Sequence, residues 1–281
     1  MKINKIKSNA KLNLALNITG KKNFLHKIES IICFIDLHDI ISIIQNKSNK
    51  HNISFYGEFS KNIGKKNTVQ KLFQILDQEN LLDNKKFNIR IKKVIPKEAG
   101  LGGGSMNAAS ILNYLIKKKI INPSSKKIQS ICESIGSDTV LGTIVSSCVL
   151  LSNSKIKKIY KTPKYYPILV KPDFGCSTRK IYSAVSKYTK PKYNKPKKSM
   201  FRPKYLINQT NALEVIALKK YPKLKKIKLF LESINNPLFV RMTGSGSTIV
   251  AYYNSLKSCK LAKAKFKRKY KNYWCVTAKT I

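Results

Sequence analysis

Gly100, Gly102, Gly103 and Gly104 stand in the run Pro96-Lys97-Glu98-Ala99-Gly100-Leu101-Gly102-Gly103-Gly104-Ser105-Met106-Asn107-Ala108-Ala109. Without a Cβ, glycine lets an anion approach the main chain closely and meet uncovered N–H groups. Where such a run opens a helix, the free N–H groups of the first turn and the positive end of the helix dipole attract the anion further. The chemistry this predicts is binding of a nucleotide's phosphates. Two better-known phosphate loops do not fit. A Walker A loop ends in Gly-Lys-Ser/Thr, whereas Gly104 is followed by Ser105 and Met106, so no lysine is in place for a terminal phosphate. The dinucleotide pattern counted from Gly100 needs glycine or alanine at 105, which is serine, and no acidic residue follows about 20 positions on to hold a ribose. From spacing alone, a flexible glycine hinge is the alternative.

A phosphate loop needs a strand behind it and a helix in front. Phe87, Ile89 and Ile91 alternate with polar residues and predict the strand, while Ala108, Ile111, Leu112, Leu115 and Ile116 recur at helical spacing. Apolar alternation predicts strands over 10–18, 28–36 and 39–45. Val69, Leu72, Phe73 and Leu76 mark one helix, and Ile128, Ile131, Cys132 and Ile135 another. The second half opens with a Lys/Pro-bearing passage at 155–167. It then predicts a strand near 168–171, helices near 179–187, 210–219 and 223–234, a strand at 248–253, a helix at 256–268 and a strand at 273–277. These elements predict an α+β fold with two domains, 1–155 and 166–281, and no internal repeat.

The pattern Pro-x-x-x-Gly-Leu-Gly-Gly-Gly-Ser-x-Asn-Ala-Ala resembles the nucleotide loop of the GHMP small-molecule kinases. Its extra glycine and Asn107-Ala108-Ala109 resemble the branch acting on 4-diphosphocytidyl-2-C-methyl-D-erythritol, where other branches more often read Gly-Leu-Gly-Ser-Ser-Ala. Further segments are similar to that branch in the expected order. They are Ala10-Lys11-Leu12-Asn13-Leu14 with Ile18-Thr19-Gly20 and His26, then Ile135-Gly136-Ser137-Asp138, then Arg241-Met242-Thr243-Gly244-Ser245-Gly246-Ser247. The resemblance spans nearly the whole chain.

It implies an N-terminal domain like ribosomal protein S5, a C-terminal α/β sandwich and an active site in the cleft between them. It also implies ATP as co-substrate, with Mg²⁺, and phosphoryl transfer to the 2-hydroxyl of a substrate with a cytidine diphosphate moiety, in the non-mevalonate isoprenoid precursor pathway. Asp138 would be the general base that takes the hydroxyl proton. Lys11 would keep that carboxylate ionised and stabilise negative charge developing in the transition state. The nucleotide would lie on Pro96, Lys97, Glu98, Ala99, Gly100, Leu101, Gly102, Gly103, Gly104, Ser105 and Met106. Asn13 and His26 would line the cytidine and polyol region. Tyr182, which closes the stretch from Pro172, would stack on the cytosine at about 1–3 kcal/mol. Gly244 and Ser245 would close over phosphates or substrate. Taken singly, each has a plainer reading: Asp138 as a turn or cap residue, Lys11 as one solvated cation among 56 Lys and Arg, His26 as structural. Tyr182 would be a core aromatic at helical spacing from Val185, and 243–247 a strand-entry turn.

The chain departs from the family at several points. Leu25 stands where some members carry a second stacking aromatic. Thr139-Val140-Leu141-Gly142 replaces Val-Pro-Phe-Phe after the aspartate. Asn211-Ala212-Leu213-Glu214 has alanine for the aspartate of Asn-Asp-Leu-Glu, and Ala99 takes a position that is often glycine.

Composition bounds the rest. A chain of 281 residues with 42% hydrophobic content can bury a real core. The 56 basic and 13 acidic residues give +43, a balance that raises nucleic-acid binding as a rival. Lysine is enriched together with isoleucine and asparagine, whose codons are A/T-rich, and the basic residues are dispersed rather than striped with aromatics, so a nucleic-acid partner is not expected. The basic stretch Lys187 to Lys204, with Pro191, Pro196 and Pro203, predicts an exposed loop. The six cysteines contain no C-x-x-C pair and read as reduced cytoplasmic thiols, with neither a zinc site nor a disulfide framework. No signal peptide or membrane span is expected. No residue is assigned to a metal, and monomer and homodimer both stay open.

Overall fold

The computed structural model describes residues 3–23 and 25–281. In chain order the elements are β1 (Asn4–Lys22), β2 (Leu25–Asn46), β3 (Asn52–Tyr56), α1 (Thr68–Gln78), β4 (Lys86–Lys92), α2 (Gly103–Lys117), α3 (Ser125–Ile135), α4 (Thr139–Gly142), β5 (Cys148–Leu150), β6 (Ile156–Lys158) and β7 (Tyr166–Lys171). There follow α5 (Thr178–Tyr182), a 3-10 turn (Lys198–Phe201), α6 (Pro203–Leu206), α7 (Ala212–Lys220), α8 (Pro222–Ser233), β8 (Phe239–Met242), β9 (Ile249–Tyr253), α9 (Leu256–Lys269) and β10 (Trp274–Thr277). They form two compact units whose segments interleave along the chain. The first holds the residues up to Ala10, Leu37–Pro96 and Gly102–Val145; the second holds Lys11–Asp36, Lys97–Leu101 and Ser146–Ile281.

In the first unit, β4 lies between β2 and β3, antiparallel to β2 with Ile41 opposite Ile91 and Ile43 opposite Ile89, and parallel to β3. This register puts Ile41, Ile43, Phe87, Ile89 and Ile91 in one core with the α1 stripe Val69, Leu72, Phe73 and Leu76 and with Ala108, Ile111, Leu112 and Leu115 of α2. The two-residue period of the strand and the helical period of α2 were legible because each presents one face to that core. Each such aliphatic side chain contributes about 1.5–3 kcal/mol on burial. Asn67 caps α1 by accepting from Val69 N at 3.1 Å and Gln70 N at 3.0 Å. The short α4 packs on α2 at Gly142, where a Cβ would stand 2.6 Å from Ala109 Cβ.

In the second unit a sheet runs in the order β10-β7-β9-β8 with every pair antiparallel. Ile168, Val170, Ile249 and Ala251 of this sheet share a core with Leu213 and Ala217 of α7, Leu224, Ile227 and Leu231 of α8, and Cys259, Ala262 and Phe266 of α9. The first half of β2 pairs with β5, and β5 with β6.

Several elements differ from expectation. The strands expected at 28–36 and 39–45 are one strand, β2, because Asp36-Leu37-His38 interrupts the apolar run without interrupting the backbone. The helix expected over 179–187 ends at Tyr182. The short strands β5, β6 and β8 carry too few residues to show a period, while β3 alternates over its five residues and was missed. In β8 an inward Arg241, 5% exposed, also breaks the apolar run; its guanidinium donates to the carbonyls of Leu14, Leu206 and Gln209.

The loop expected over 187–204 is mostly exposed and holds no helix or strand before the 3-10 turn, and it is pinned at a few points as a strap. Glu29, fully buried, accepts hydrogen bonds from Lys192 N at 2.8 Å, Tyr193 N at 3.0 Å and Asn17 Nδ2 at 2.9 Å. Thr189 N donates to Ile18 O at 2.9 Å. Tyr193, Met200 and Phe201 are buried, so apolar residues spaced among the lysines anchor a segment whose composition reads as solvated. Among the described residues no helix is long and apolar enough to cross a membrane.

Candidate active site

Beyond β4 the chain turns through Val94, Ile95 and Pro96 into the glycine run, and a buried carboxylate holds that turn. Asp39 Oδ1 accepts from Val94 N at 2.7 Å and Ile95 N at 2.9 Å, while Oδ2 accepts from Asn107 Nδ2 at 3.0 Å and from Lys93 Nζ. One side chain thus ties the strand exit to Asn107 at the start of the second turn of α2. Asp39 is fully buried and Lys93 5% exposed, so each neutralises a charge the other could not carry alone in that environment. Neither was singled out from the sequence. Asn107 was, as part of the motif.

Gly102 caps α2 in the left-handed region at φ 71° with no side chain closing the first turn. The leading N–H groups of α2 therefore have no partner within the helix. Lys93 Nζ lies 3.4 Å from where a Cβ on Gly103 would stand, adding positive charge behind the helix start. Gly104 is exposed, Gly102, Gly103 and Ser105 are half-buried, and Pro96 and Met106 are buried anchors. The turn Gly136-Ser137-Asp138 passes this hydroxyl: a Cβ on Gly136 would stand 3.7 Å from Ser105 Oγ. Asp138 is half-buried at the N-cap of α4. Thr68 Oγ1 donates to Gly104 O at 2.7 Å, and from neighbouring Asn67 a hollow of about 340 Å³ opens, lined by Ile53, Phe55, Ile63, Gln70 and Gln74 among others.

In the second unit, Lys97–Leu101 meets the second glycine-rich loop. Gly100 has φ +72°, and a Cβ there would fall 2.1 Å from Thr243 O. Thr243 Oγ1 donates to Gly100 O at 3.3 Å, Ser247 N to Glu98 O at 3.2 Å and Lys11 N to Leu101 O at 3.2 Å. Asn13 N donates to Thr243 Oγ1 at 3.0 Å, and Asn13 Oδ1 accepts from Lys11 Nζ at 2.7 Å. The structure therefore gathers the buried Lys11, Asn13 and Gly244 and the half-buried Gly100 into one cluster. Lys97 and Glu98 are exposed, while Ala99 and Leu101 are buried. Ser245 Oγ lies 2.9 Å from Thr178 Oγ1.

The Asn211-x-x-Glu214 residues support this loop. Asn211 Nδ2 donates to Met242 O and Gly244 O, both at 2.8 Å, and Glu214 accepts from Met242 N. Burial raises the Glu214 carboxyl above its ordinary value. Ala212, in place of the family's aspartate, leaves these bonds intact. Asp39 and Lys93 carry no local signal for such roles, and Thr178 and Thr243 stand within the resembling segments without any indication of their partners, which lie far along the chain.

His26 and Tyr182 also come together, with ring centroids 5.3 Å apart, and Tyr188 of the strap stands 6.3 Å from the same imidazole. Burial, and then the charge of Lys21, hold His26 below its ordinary pKa, so it is neutral near pH 7 and offers one donor and one acceptor.

Residues 67–146 match the model of the GHMP kinases N terminal domain. The chain is 54% identical over 277 residues to the 4-diphosphocytidyl-2-C-methyl-D-erythritol kinase of Pelagibacter ubique (strain HTCC1062), covering 99% of each. The chain belongs to this family of GHMP kinases. It is also 33% identical to the enzyme of the same name from Clostridium tetani (strain Massachusetts / E88), over 95% of this chain and 96% of that one. A crystal structure of 4-(cytidine 5'-diphospho)-2C-methyl-D-erythritol kinase matches the fold with a TM-score of 0.78 at 20% identity, covering 98% of this chain and 99% of that one. The expected α+β GHMP fold is thus the observed one, and this protein is an ATP-dependent small-molecule kinase.

Proposed function

We propose that this kinase transfers the γ-phosphoryl group of ATP to the 2-hydroxyl of 4-diphosphocytidyl-2-C-methyl-D-erythritol, a cytoplasmic step of the non-mevalonate isoprenoid precursor pathway. The observation that carries the reading is the 54% identity, over 99% of both chains, with a relative named for that substrate. The local chemistry supports it. The uncapped start of α2, with Lys93 behind it, suits the ATP phosphates. The hollow beside Asn67, with Ile53, Phe55 and Ile63 in its lining, suits the purine ring. His26 and Tyr182 suit a pyrimidine base, one by hydrogen bonding and one by stacking. The cysteines are all free and buried, in keeping with a reducing compartment.

Asp138 takes the role of general base and Lys11 that of the cation that stabilises the developing charge. Among the described residues no group of three His, Cys, Asp or Glu side chains could hold a metal ion. Mg²⁺ would therefore arrive on the triphosphate, and the oxygens of Ser105 and Asp138 are the hard ligands this chain would offer it; bound there, the ion would neutralise phosphate charge. Nucleotide-binding elements fall within 1–155 in this reading, and the second glycine-rich loop within 166–281.

ADP release with MgATP and the cytidine substrate tests the proposal, run beside Asp138→Asn and a panel of small alcohols lacking cytidine. Turnover should require the cytidine substrate and fall by about 10²–10⁴-fold in the variant, at unchanged melting temperature. Turnover only with a panel alcohol would move the chain to another GHMP branch, and RNA binding without kinase activity would overturn the enzymatic assignment.

A further inference from the structure

His26 lies next to Leu25, whose side chain is 77% exposed and cannot stack on a planar ring. Tyr182 offers a ring, but it is the last residue of α5 and is partly taken up by the core of the second unit. Tyr188 differs from both. It is 47% exposed, its ring is tilted 49° to the imidazole at 6.3 Å, and it belongs to the strap rather than to any helix or strand.

The strap's backbone is pinned just after that ring. Immediately after Tyr188, Thr189 N donates to Ile18 O at 2.9 Å. A little further on, Lys192 N and Tyr193 N donate to the fully buried carboxylate of Glu29. Burying a carboxylate is costly unless hydrogen bonds satisfy it, so this attachment holds the strap in one place. The result is a half-exposed aromatic face held beside a neutral imidazole. A flat ligand hydrogen-bonded by His26 would meet that face, and every nucleobase has a π-surface that stacks on tyrosine.

We infer that Tyr188 is a specificity-determining residue, supplying an aromatic wall for the pyrimidine base that His26 reads, in place of the side chain that leucine at position 25 does not provide. This rests on the substrate proposed above.

The test compares wild type with Tyr188→Ala and Tyr188→Phe in steady-state assays with MgATP and 4-diphosphocytidyl-2-C-methyl-D-erythritol. It also includes inhibition by cytidine 5'-diphosphate and thermal melts. The alanine variant should raise KM for the cytidine substrate, and Ki for cytidine 5'-diphosphate, by about tenfold. KM for ATP, kcat and melting temperature should stay near wild type, and phenylalanine should restore KM because the ring suffices. Wild-type turnover with an unchanged KM in Tyr188→Ala would overturn the inference and leave the proposed function standing. An equal rise in KM for ATP would overturn it as well, by showing a general disturbance. No wild-type turnover with this substrate would overturn the proposed function and the inference together.

Discussion

His51 is a buried titratable group outside the proposed chemistry. Its ring lies 4.3 Å from Phe73 and 6.0 Å from Phe87, its Nδ1 accepts from Phe87 N at 3.1 Å, and its Nε2 lies 3.3 Å from Asp77 Oδ1. Burial holds its pKa below the ordinary value, although the hydrogen bond and charge of Asp77 pull the other way. The lone pair that Phe87 N–H needs is lost on protonation. With the folded pKa depressed, the unfolded chain takes up this proton first as pH falls. Stability is therefore complete above about pH 6.5 and declines as pH falls below it, until the folded imidazole titrates too. The His51 ring resonances in an NMR titration should report a pKa below 6.5, and the melting temperature should fall between pH 7.5 and 5.5. A His51 pKa above 6.5 would contradict this account. Asp39 shows the complementary case, a carboxylate whose burial is made tolerable by donors on both sides of the glycine loop.

Among the elements, the contact between the two glycine-rich loops is the least tolerant of added volume. Gly100 combines positive φ with the backbone carbonyl of Thr243 at 2.1 Å from any added Cβ, and a Cβ on Gly244 would in turn stand 3.0 Å from Gly100 O. Gly100→Ala must strain its own backbone by roughly 1–2 kcal/mol and push Thr243 away, and Thr243 Oγ1 also holds Asn13 N. The variant should melt several degrees lower and lose at least tenfold in kinase activity. Gly64→Ala, with nothing within 4 Å of the new Cβ, should melt like wild type. Equal melting temperatures for the two variants would show that this loop contact is not needed for stability.

Across the whole molecule, the +43 of the sequence lies almost entirely at the surface, because the buried cations Lys11, Lys93 and Arg241 are nearly balanced by the buried Glu29 and Asp39. Glu29 and Asp39 are fully buried and engaged with backbone N–H groups, while lysines fill the outward positions of α8 and α9. ATP and a substrate bearing a diphosphate are both anions, so a positive field should speed their capture at low ionic strength. KM for both should rise several-fold between about 20 and 300 mM salt, as the Debye length falls from roughly 20 Å to below 8 Å, with kcat little changed. Flat KM values over that range would show that the surface charge has no part in substrate capture.

The glycine loop, its flanking strand and helix, and α1 were legible in the sequence because local physics specifies them. Glycine permits close approach of a phosphate, and a two-residue or helical period follows from one face being buried. The motifs around Lys11, Asp138 and Thr243 were legible as a resemblance, without a derivation of where each side chain points. Tertiary structure alone decided that Asp39 would brace the strand exit and Asn107 together, that Gly100 would lie against Thr243, and that a lysine-rich segment would be pinned by Glu29 with Tyr188 beside His26. It also decided the interleaving of the two units and the inward arginine of β8. Steric preferences and periodicity act over a few neighbouring residues, whereas these partners are separated by tens to hundreds of positions and meet only once the sheets have brought their strands into register.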